Sequence, residues 1–170
     1  MADLCAIAGA GSDIETHMRI AVGADHKGFE FKERVKAILQ AWGHEIIDFG
    51  TNSEESVDYP DFAIKVAESV RDHHTNRGVA ICWTGNGVTI AANKVDGIRA
   101  TLALNPEMAM LARAHNDSNV LTLSSKYTDS NKLEDILKVW LETKFEGGRH
   151  ARRLAKIPHS GISDSSRKGD

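Results

Sequence analysis

Val79-Ala80-Ile81-Cys82-Trp83-Thr84-Gly85-Asn86-Gly87-Val88-Thr89-Ile90-Ala91-Ala92-Asn93 is the stretch that decides the fold. Val79 to Trp83 is an apolar run of strand length, Thr84 to Gly87 is a turn, and Val88 to Asn93 reads as a helix. An uninterrupted apolar strand is one covered on both faces, as parallel strands in α/β proteins are. The same alternation extends outward in both directions. Upstream, Arg19 to Ala24 is a first apolar strand, and Val35, Ile38, Leu39 and Trp42 share one helical face ahead of a stop at Gly43. Glu45 to Phe49 is the second strand, and Tyr59-Pro60-Asp61 opens a helix whose Phe62, Val66, Ala67 and Val70 fall on one side. Downstream, Ile98 to Leu104 is a fourth strand, Pro106 starts a helix to about Ala114, and Asn119 to Leu123 is a fifth strand. A last helix carries Leu133, Ile136, Leu137, Trp140 and Leu141. Five parallel strands interleaved with helices predict an α/β, doubly wound, three-layer sandwich of Rossmann-like or flavodoxin-like type. Such sheets bind ligands beyond the carboxyl ends of their strands.

The chain has 170 residues, a net charge of -3, 26% charged and 41% hydrophobic residues, a balance that fits one globular domain and offers no basic excess for nucleic acid or anionic membranes. Its longest apolar runs are too short to cross a bilayer, which takes roughly 20 residues. Met1 to His17 has no Lys or Arg ahead of the apolar patch at Leu4 to Ile7, so the charged start of a secretory signal is missing and a cytoplasmic protein is expected. Met18 directly precedes the first strand. Residues 1–17 are therefore expected to be an extension outside the core, 18–157 the domain, and the polar, Ser-rich 158–170 a disordered tail. Cys5 and Cys82 are too isolated for a disulfide framework and read as thiols.

Chemistry concentrates in a few places. Asp25-His26-Lys27-Gly28 follows the first strand, where a carboxylate beside an imidazole suits proton transfer, although a solvated turn has the same composition. In Thr84 to Gly87 the glycines let backbone N–H groups converge on an anion or a developing oxyanion. Cys82 at its edge is either a base or nucleophile, or a small buried hydrophobe at a strand end. Gly85-Asn86-Gly87 is no dinucleotide fingerprint, because Ile90 stands where the third glycine belongs and the turn follows the third strand. His115-Asn116-Asp117 closes the fourth helix, where a histidine also complements the helix dipole. Arg149, His150, Arg152 and Arg153 form a cationic arm suited to phosphate, or a solvated basic helix. His73-His74 lacks a third ligand at metal spacing and reads as surface.

Taken together, Ala24 to Gly28, Asp58-Tyr59-Pro60-Asp61, Cys82 to Gly87, Ile90 to Lys94, Gly97-Ile98-Arg99-Ala100, His115 to Leu121 and Phe145 to His150 resemble the ribose-5-phosphate isomerase B and galactose-6-phosphate isomerase family. The likeness runs in order from about Met18 to Ile157. It implies an aldose-ketose isomerase without metal or organic cofactor, acting on a phosphorylated sugar. It also implies a homodimer with active sites shared between subunits, with a tetramer as a larger assembly. By position, Cys82 matches the general base and Thr84, Gly85, Asn86 and Gly87 the donors to the enediolate. His115, from the other subunit, matches the residue that helps open the sugar ring, with Asp25, His26 and Asn116 nearby. Arg149, His150 and Arg153 match phosphate or ring contacts, and Tyr59 and Asn93 residues lining the site.

Three positions depart from the family pattern. Trp83 stands where a small residue, typically glycine, follows the base, Asn86 replaces an aliphatic, and Thr89 a serine. Val88 occupies the place where a branch without the cysteine carries glutamate, so the cysteine branch is the better match. The expected reaction is ribose 5-phosphate to ribulose 5-phosphate. A different sugar phosphate (galactose, allose or erythrulose) and a non-catalytic nucleotide or phosphate-binding module are the alternatives.

Overall fold

The computed structural model describes residues 17–158. The expected extension and tail fall almost wholly outside them. The sheet contains five strands in the order β2-β1-β3-β5-β4, every neighbouring pair parallel. They are β1 (Arg19–Ala24), β2 (Glu45–Asp48), β3 (Arg77–Cys82), β4 (Ala100–Leu102) and β5 (Val120–Ser124). The helices are α1 (Phe29–Ala41), α2 (Tyr59–Arg71), α3 (Asn86–Ala92), α4 (Pro106–Asn116), α5 (Leu133–Glu142) and α6 (Arg149–Leu154). The order reverses between β1 and β3, the switch point expected of a doubly wound sheet, but the last two strands are exchanged relative to the flavodoxin order. Among the described residues no helix is long and apolar enough to cross a membrane.

Period-2 alternation sorts the strand side chains into two unlike faces. Ile20, Val22, Val79, Ile81, Leu121 and Leu123 point to the face covered by α1, α4 and α5, where Val35, Leu39, Ile136 and Trp140 complete the core. The indole N–H of Trp140 donates to Ser118 Oγ at 2.7 Å, so this large buried ring leaves no orphaned polar atom. The opposite face presents Ala21, Ala80, Cys82 and Val120 to α2 and α3. Small residues let these helices approach closely: a Cβ on Gly78 would sit 2.7 Å from Val66 Cγ1.

Element boundaries shift where local chemistry intervenes. β3 begins two residues earlier than its apolar run and ends at Cys82, with Trp83 already exposed. α3 begins at Asn86 because Gly85, at φ 78°, is the cap residue that turns the chain directly into the helix. β4 shrinks to three residues because Ile98 N–H is spent on Val95 O in a turn.

The interior also holds a charge. The Lys32 side chain is fully buried between α1 and β2, with Nζ 2.6 Å from Asp48 Oδ2 and 2.7 Å from Glu33 Oε1. Burial acts to raise the Asp48 carboxyl, but hydrogen bonds from Lys32 and Lys36 and from the Gly50 N–H outweigh it and hold it below the ordinary value. Asp48 thereby ties down Gly50, whose carbonyl accepts from Ala24 N at 2.7 Å, while Thr51 N donates to Ala24 O at 2.8 Å. Lys32→Met should therefore destabilise the protein by about 3 kcal/mol in urea unfolding, because it leaves Asp48 with Lys36 alone.

Candidate active site

Three loops meet at the carboxyl ends of β1, β2 and β3. Parallel pairing sets Ala24 opposite Ile81, and Asp25 N–H continues the ladder to Ile81 O at 3.2 Å. Asp25 thus lies beside Cys82. Its carboxylate accepts from Gly28 N at 2.9 Å, closing the turn into α1. Burial pushes the Asp25 carboxyl above the usual aspartate value, against the opposing pull of the Gly28 N–H, His26 and Lys27. His26 Nδ1 lies 3.2 Å from both the N–H and the carbonyl of Val57, so the ring's tautomer decides which it engages; either way it ties the loop before α2 to the loop after β1.

Cys82 is buried at 4% exposure on the α2/α3 face, and the Gly85 N–H donates to its Sγ at 3.2 Å. An N–H aimed at sulfur is a donor that a thiolate, or an oxyanion arriving in its place, can accept. The turn is geometrically exacting: Gly85 is left-handed, and a Cβ on Gly87 would sit 2.7 Å from the Tyr59 ring. Thr84 Oγ1 accepts from Asn86 N at 3.4 Å. Tyr59, Trp83 and Asn86 are exposed around this turn. Trp83 as a residue is 46% exposed, and its ring lies near two ammonium groups, Lys27 at 5.9 Å and Lys126 at 5.4 Å from its centroid. Its carbonyl is held by Ser124 Oγ at 2.7 Å and Lys126 N at 3.1 Å, and Cys82 O accepts from Ser125 N at 3.0 Å. The loop after β5 therefore clamps the loop after β3, a role for Ser124 that composition gave no sign of.

The remaining expected site residues are gathered elsewhere. His115 ends α4, and α4 runs into the start of β5, so His115 sits at the amino edge of the sheet. The pairs Gly78–Val120 and Cys82–Ser124 are four residues apart; at about 3.3 Å per residue, roughly 13 Å of strand separates the two edges. There the rings of His115 and His150 stack at 4.2 Å with an interplanar angle of 6°. Glu146 Oε2 lies 3.8 Å from His115 Nε2 and 3.4 Å from His150 Nε2. Glu146 is placed by its own N–H, which donates to Ala114 O at 3.0 Å. Arg149 Nε approaches His150 Nε2 at 3.3 Å. Desolvation, with His115 and Arg149 adding to it, pushes the His150 imidazole below the ordinary histidine value. Arg153 is exposed on α6.

The turn that ends in Asp117 (φ 44°) is clamped from two sides. Arg99 donates to the carbonyls of Asn116 and Asp117 and to Asp117 Oδ2 at 2.7 Å, and Arg113 donates to Asp117 Oδ1 at 2.8 Å and Ser118 O at 2.7 Å. Asn93 spends its amide on Ala100, accepting from N and donating to O, both at 2.8 Å. With Asn116 and Leu154 it lines a cavity of about 370 Å³. A larger cavity, about 640 Å³, is lined by Arg77, Asn119 and Lys144 at the amino edge and touches none of the glycine-turn residues. Glu146, Arg99 and Arg113 were not singled out individually by the sequence reading. For Glu146 a signal existed, its spacing of four residues from His150.

In one chain, then, a thiol beside a donor-rich turn occupies one edge and a histidine pair with a basic helix the other. The model of the ribose/galactose isomerase family matches residues 20–157. Ribose-5-phosphate isomerase B of Escherichia coli is 44% identical over 139 residues, covering 82% of this chain and 93% of that protein. The structure of Clostridium thermocellum ribose-5-phosphate isomerase B superposes with a TM-score of 0.81 at 48% identity, covering 82% of this chain and 95% of that one. The Mycoplasma genitalium ribose-5-phosphate isomerase B structure, which has ribulose 5-phosphate bound, matches with a TM-score of 0.78 at 40% identity, over 82% and 93% of the two chains. Motif order, strand topology and near-complete coverage all agree, and the chain belongs to the ribose/galactose isomerase family of sugar-phosphate isomerases.

Proposed function

We propose that this chain interconverts ribose 5-phosphate and ribulose 5-phosphate through an enediolate, with Cys82 as the general base. The observation that carries the reading is the buried Cys82 sulfur facing a backbone N–H at the head of the glycine turn, in a chain whose relative of known structure binds ribulose 5-phosphate. As thiolate, Cys82 removes the proton from C2 of the open-chain aldose. The electron pair moves to the carbonyl, forming a C1–C2 double bond and leaving negative charge on O1. Backbone N–H groups of Thr84 to Gly87 and the Thr84 hydroxyl are the donors for that charge, fixed before the reaction begins. Return of the proton from the thiol to C1, with transfer of the O2 proton to O1, gives the C2 carbonyl and C1 hydroxyl of the ketose. No metal or organic cofactor has a step to perform.

His115, Asn116, Arg149, His150 and Arg153 fit the ring-opening and phosphate-binding half of the reaction, with Asp25, His26, Tyr59 and Asn93 as the other lining residues. Their separation from Cys82 along the sheet supports a homodimer in which one protomer supplies the thiol and its partner the histidines and arginines; a tetramer would pair two such dimers. The outward Trp83 ring supports a five-carbon substrate, since the bulk that could narrow the site is held near Lys27 and Lys126.

Purified protein in excess EDTA should turn over ribose 5-phosphate, and Cys82→Ala should lose about 10²–10⁴-fold in kcat, the usual share of a general base, with its circular dichroism unchanged. Binding of a nucleotide with no sugar turnover in either protein would instead favour a non-catalytic module. His115→Ala should be slowed chiefly on the cyclic sugar; equal losses on open-chain and cyclic forms would remove its ring-opening role.

Asp25 gives a pH-dependent signature. Its raised folded value means that the folded chain keeps the proton to higher pH than the unfolded chain. Below the unfolded value both states are protonated and nothing is lost, whereas above the raised value the folded state carries a desolvated carboxylate. Asp25→Asn retains an acceptor for the Gly28 N–H, so it should melt a few degrees higher than wild type at neutral pH. The gain should vanish by about pH 3, below the ordinary aspartate value.

A further inference from the structure

Of the clusters outside the thiol site, the one at the amino edge has a coordination chemistry of its own. His115, Glu146 and His150 each offer one ligand atom, and these atoms lie within 4.8 Å of one another. A tetrahedral zinc with bonds of about 2.1 Å sets its ligand atoms roughly 3.4 Å apart. The Glu146–His150 spacing of 3.4 Å already has this value, and the Glu146–His115 spacing of 3.8 Å exceeds it only slightly. The stacked imidazoles need to tilt toward one another for both lone pairs to converge, and His115, only partly buried, has room to do so. Two imidazoles and a carboxylate with an open side form a donor set that takes zinc and leaves a position for water.

We propose that His115, Glu146 and His150 bind a divalent transition metal, zinc by preference, as a reversible inhibitory ion. All three ligands come from one chain, so the site does not depend on the oligomer. His115 lies in the last turn of α4, where the helix dipole favours positive charge. The Arg149 guanidinium now stands against His150 Nε2, so a metal there replaces one cation with another, and Arg149, exposed in the single chain, has to move off the ring to admit it. The charges of Arg149 and Arg153 weaken the site and make it responsive to metal concentration rather than permanently filled. The inhibition, unlike the binding, rests on the isomerase reading: a metal on His115 Nε2 removes the lone pair that ring opening needs.

The test is a titration of the untagged full-length protein with zinc chloride against a chromogenic chelator, beside Glu146→Gln, His150→Asn and Cys82→Ser. Wild type and Cys82→Ser should take up one zinc per chain at this site. Glu146→Gln and His150→Asn should bind it about tenfold more weakly or worse, the least that loss of even an outer partner costs a metal site. Should His150→Asn fail to fold, exposed Glu146→Gln still decides. Equal affinity in all four proteins, or no uptake by wild type, overturns the site. Zinc should also slow turnover of the cyclic sugar phosphate, with EDTA restoring it; binding at this site with turnover unaffected overturns the inhibitory role. Absence of turnover before zinc is added is a failure of the isomerase reading alone, and the chelator titration still decides the metal site.

Discussion

The ladders on either side of β3 are the constraint on which the rest depends. Pairing of Ala24 with Ile81 on one flank and Cys82 with Ser124 on the other leaves the sulfur one place to go, into the α2/α3 layer beside Asp25. A slip of one residue would turn Cys82 into the aliphatic face and bring Ile81 into the site. The buried Lys32–Asp48 pair reinforces the same arrangement from further out, because Asp48 holds Gly50 and Gly50 brackets Ala24. The site is thus supported by the sheet itself, with its loops tied to one another by main-chain bonds.

A second constraint is length. Parallel strands of five or six residues keep the loops at their two ends apart, so a chain with a thiol and glycine turn at one end and a histidine pair with a basic helix at the other cannot bring them together by side-chain motion. In the proposed dimer this becomes a division of labour. The glycine turn and thiol handle the carbon chain, and the His115 turn and α6 handle the ring and phosphate. The double arginine clamp on Asp117 fits this view, since a residue that must reach into a neighbour needs a rigid base.

Fold class was legible because apolar strand runs alternate with helical faces, and the long, strongly periodic elements fall where their pattern puts them. Boundaries were less so. β4 is short because an edge strand pairs on one side only and Ile98 is drawn into a turn, an outcome that apolarity alone does not encode. The thiol, the glycine turn and the Asp25-His26 loop stood out because residues of that kind are conspicuous at strand ends. Lys32 did not, because a buried lysine within an amphipathic helix looks like its solvated neighbours until Asp48 is found opposite. For Glu146 the spacing to His150 was readable, but its other partner, His115, is 31 positions away, and the Glu146 N–H to Ala114 O bond that sets it there is not written in the sequence.

The unlike faces of the sheet have a bearing on how this protein can change. Gly23 and Gly78 form a surface against which α2 packs so closely that a methyl added at either must push Val66 aside, and the buried Ala80 lies in the same layer. The opposite face is built of branched aliphatics and Trp140, where losses and gains of volume can be traded among neighbours. Sequence drift and stabilising redesign are therefore tolerated on the α1/α4/α5 side, while the layer carrying Cys82 is frozen by its smallness. The face carrying Cys82 is constrained by geometry before any selection for function acts on it.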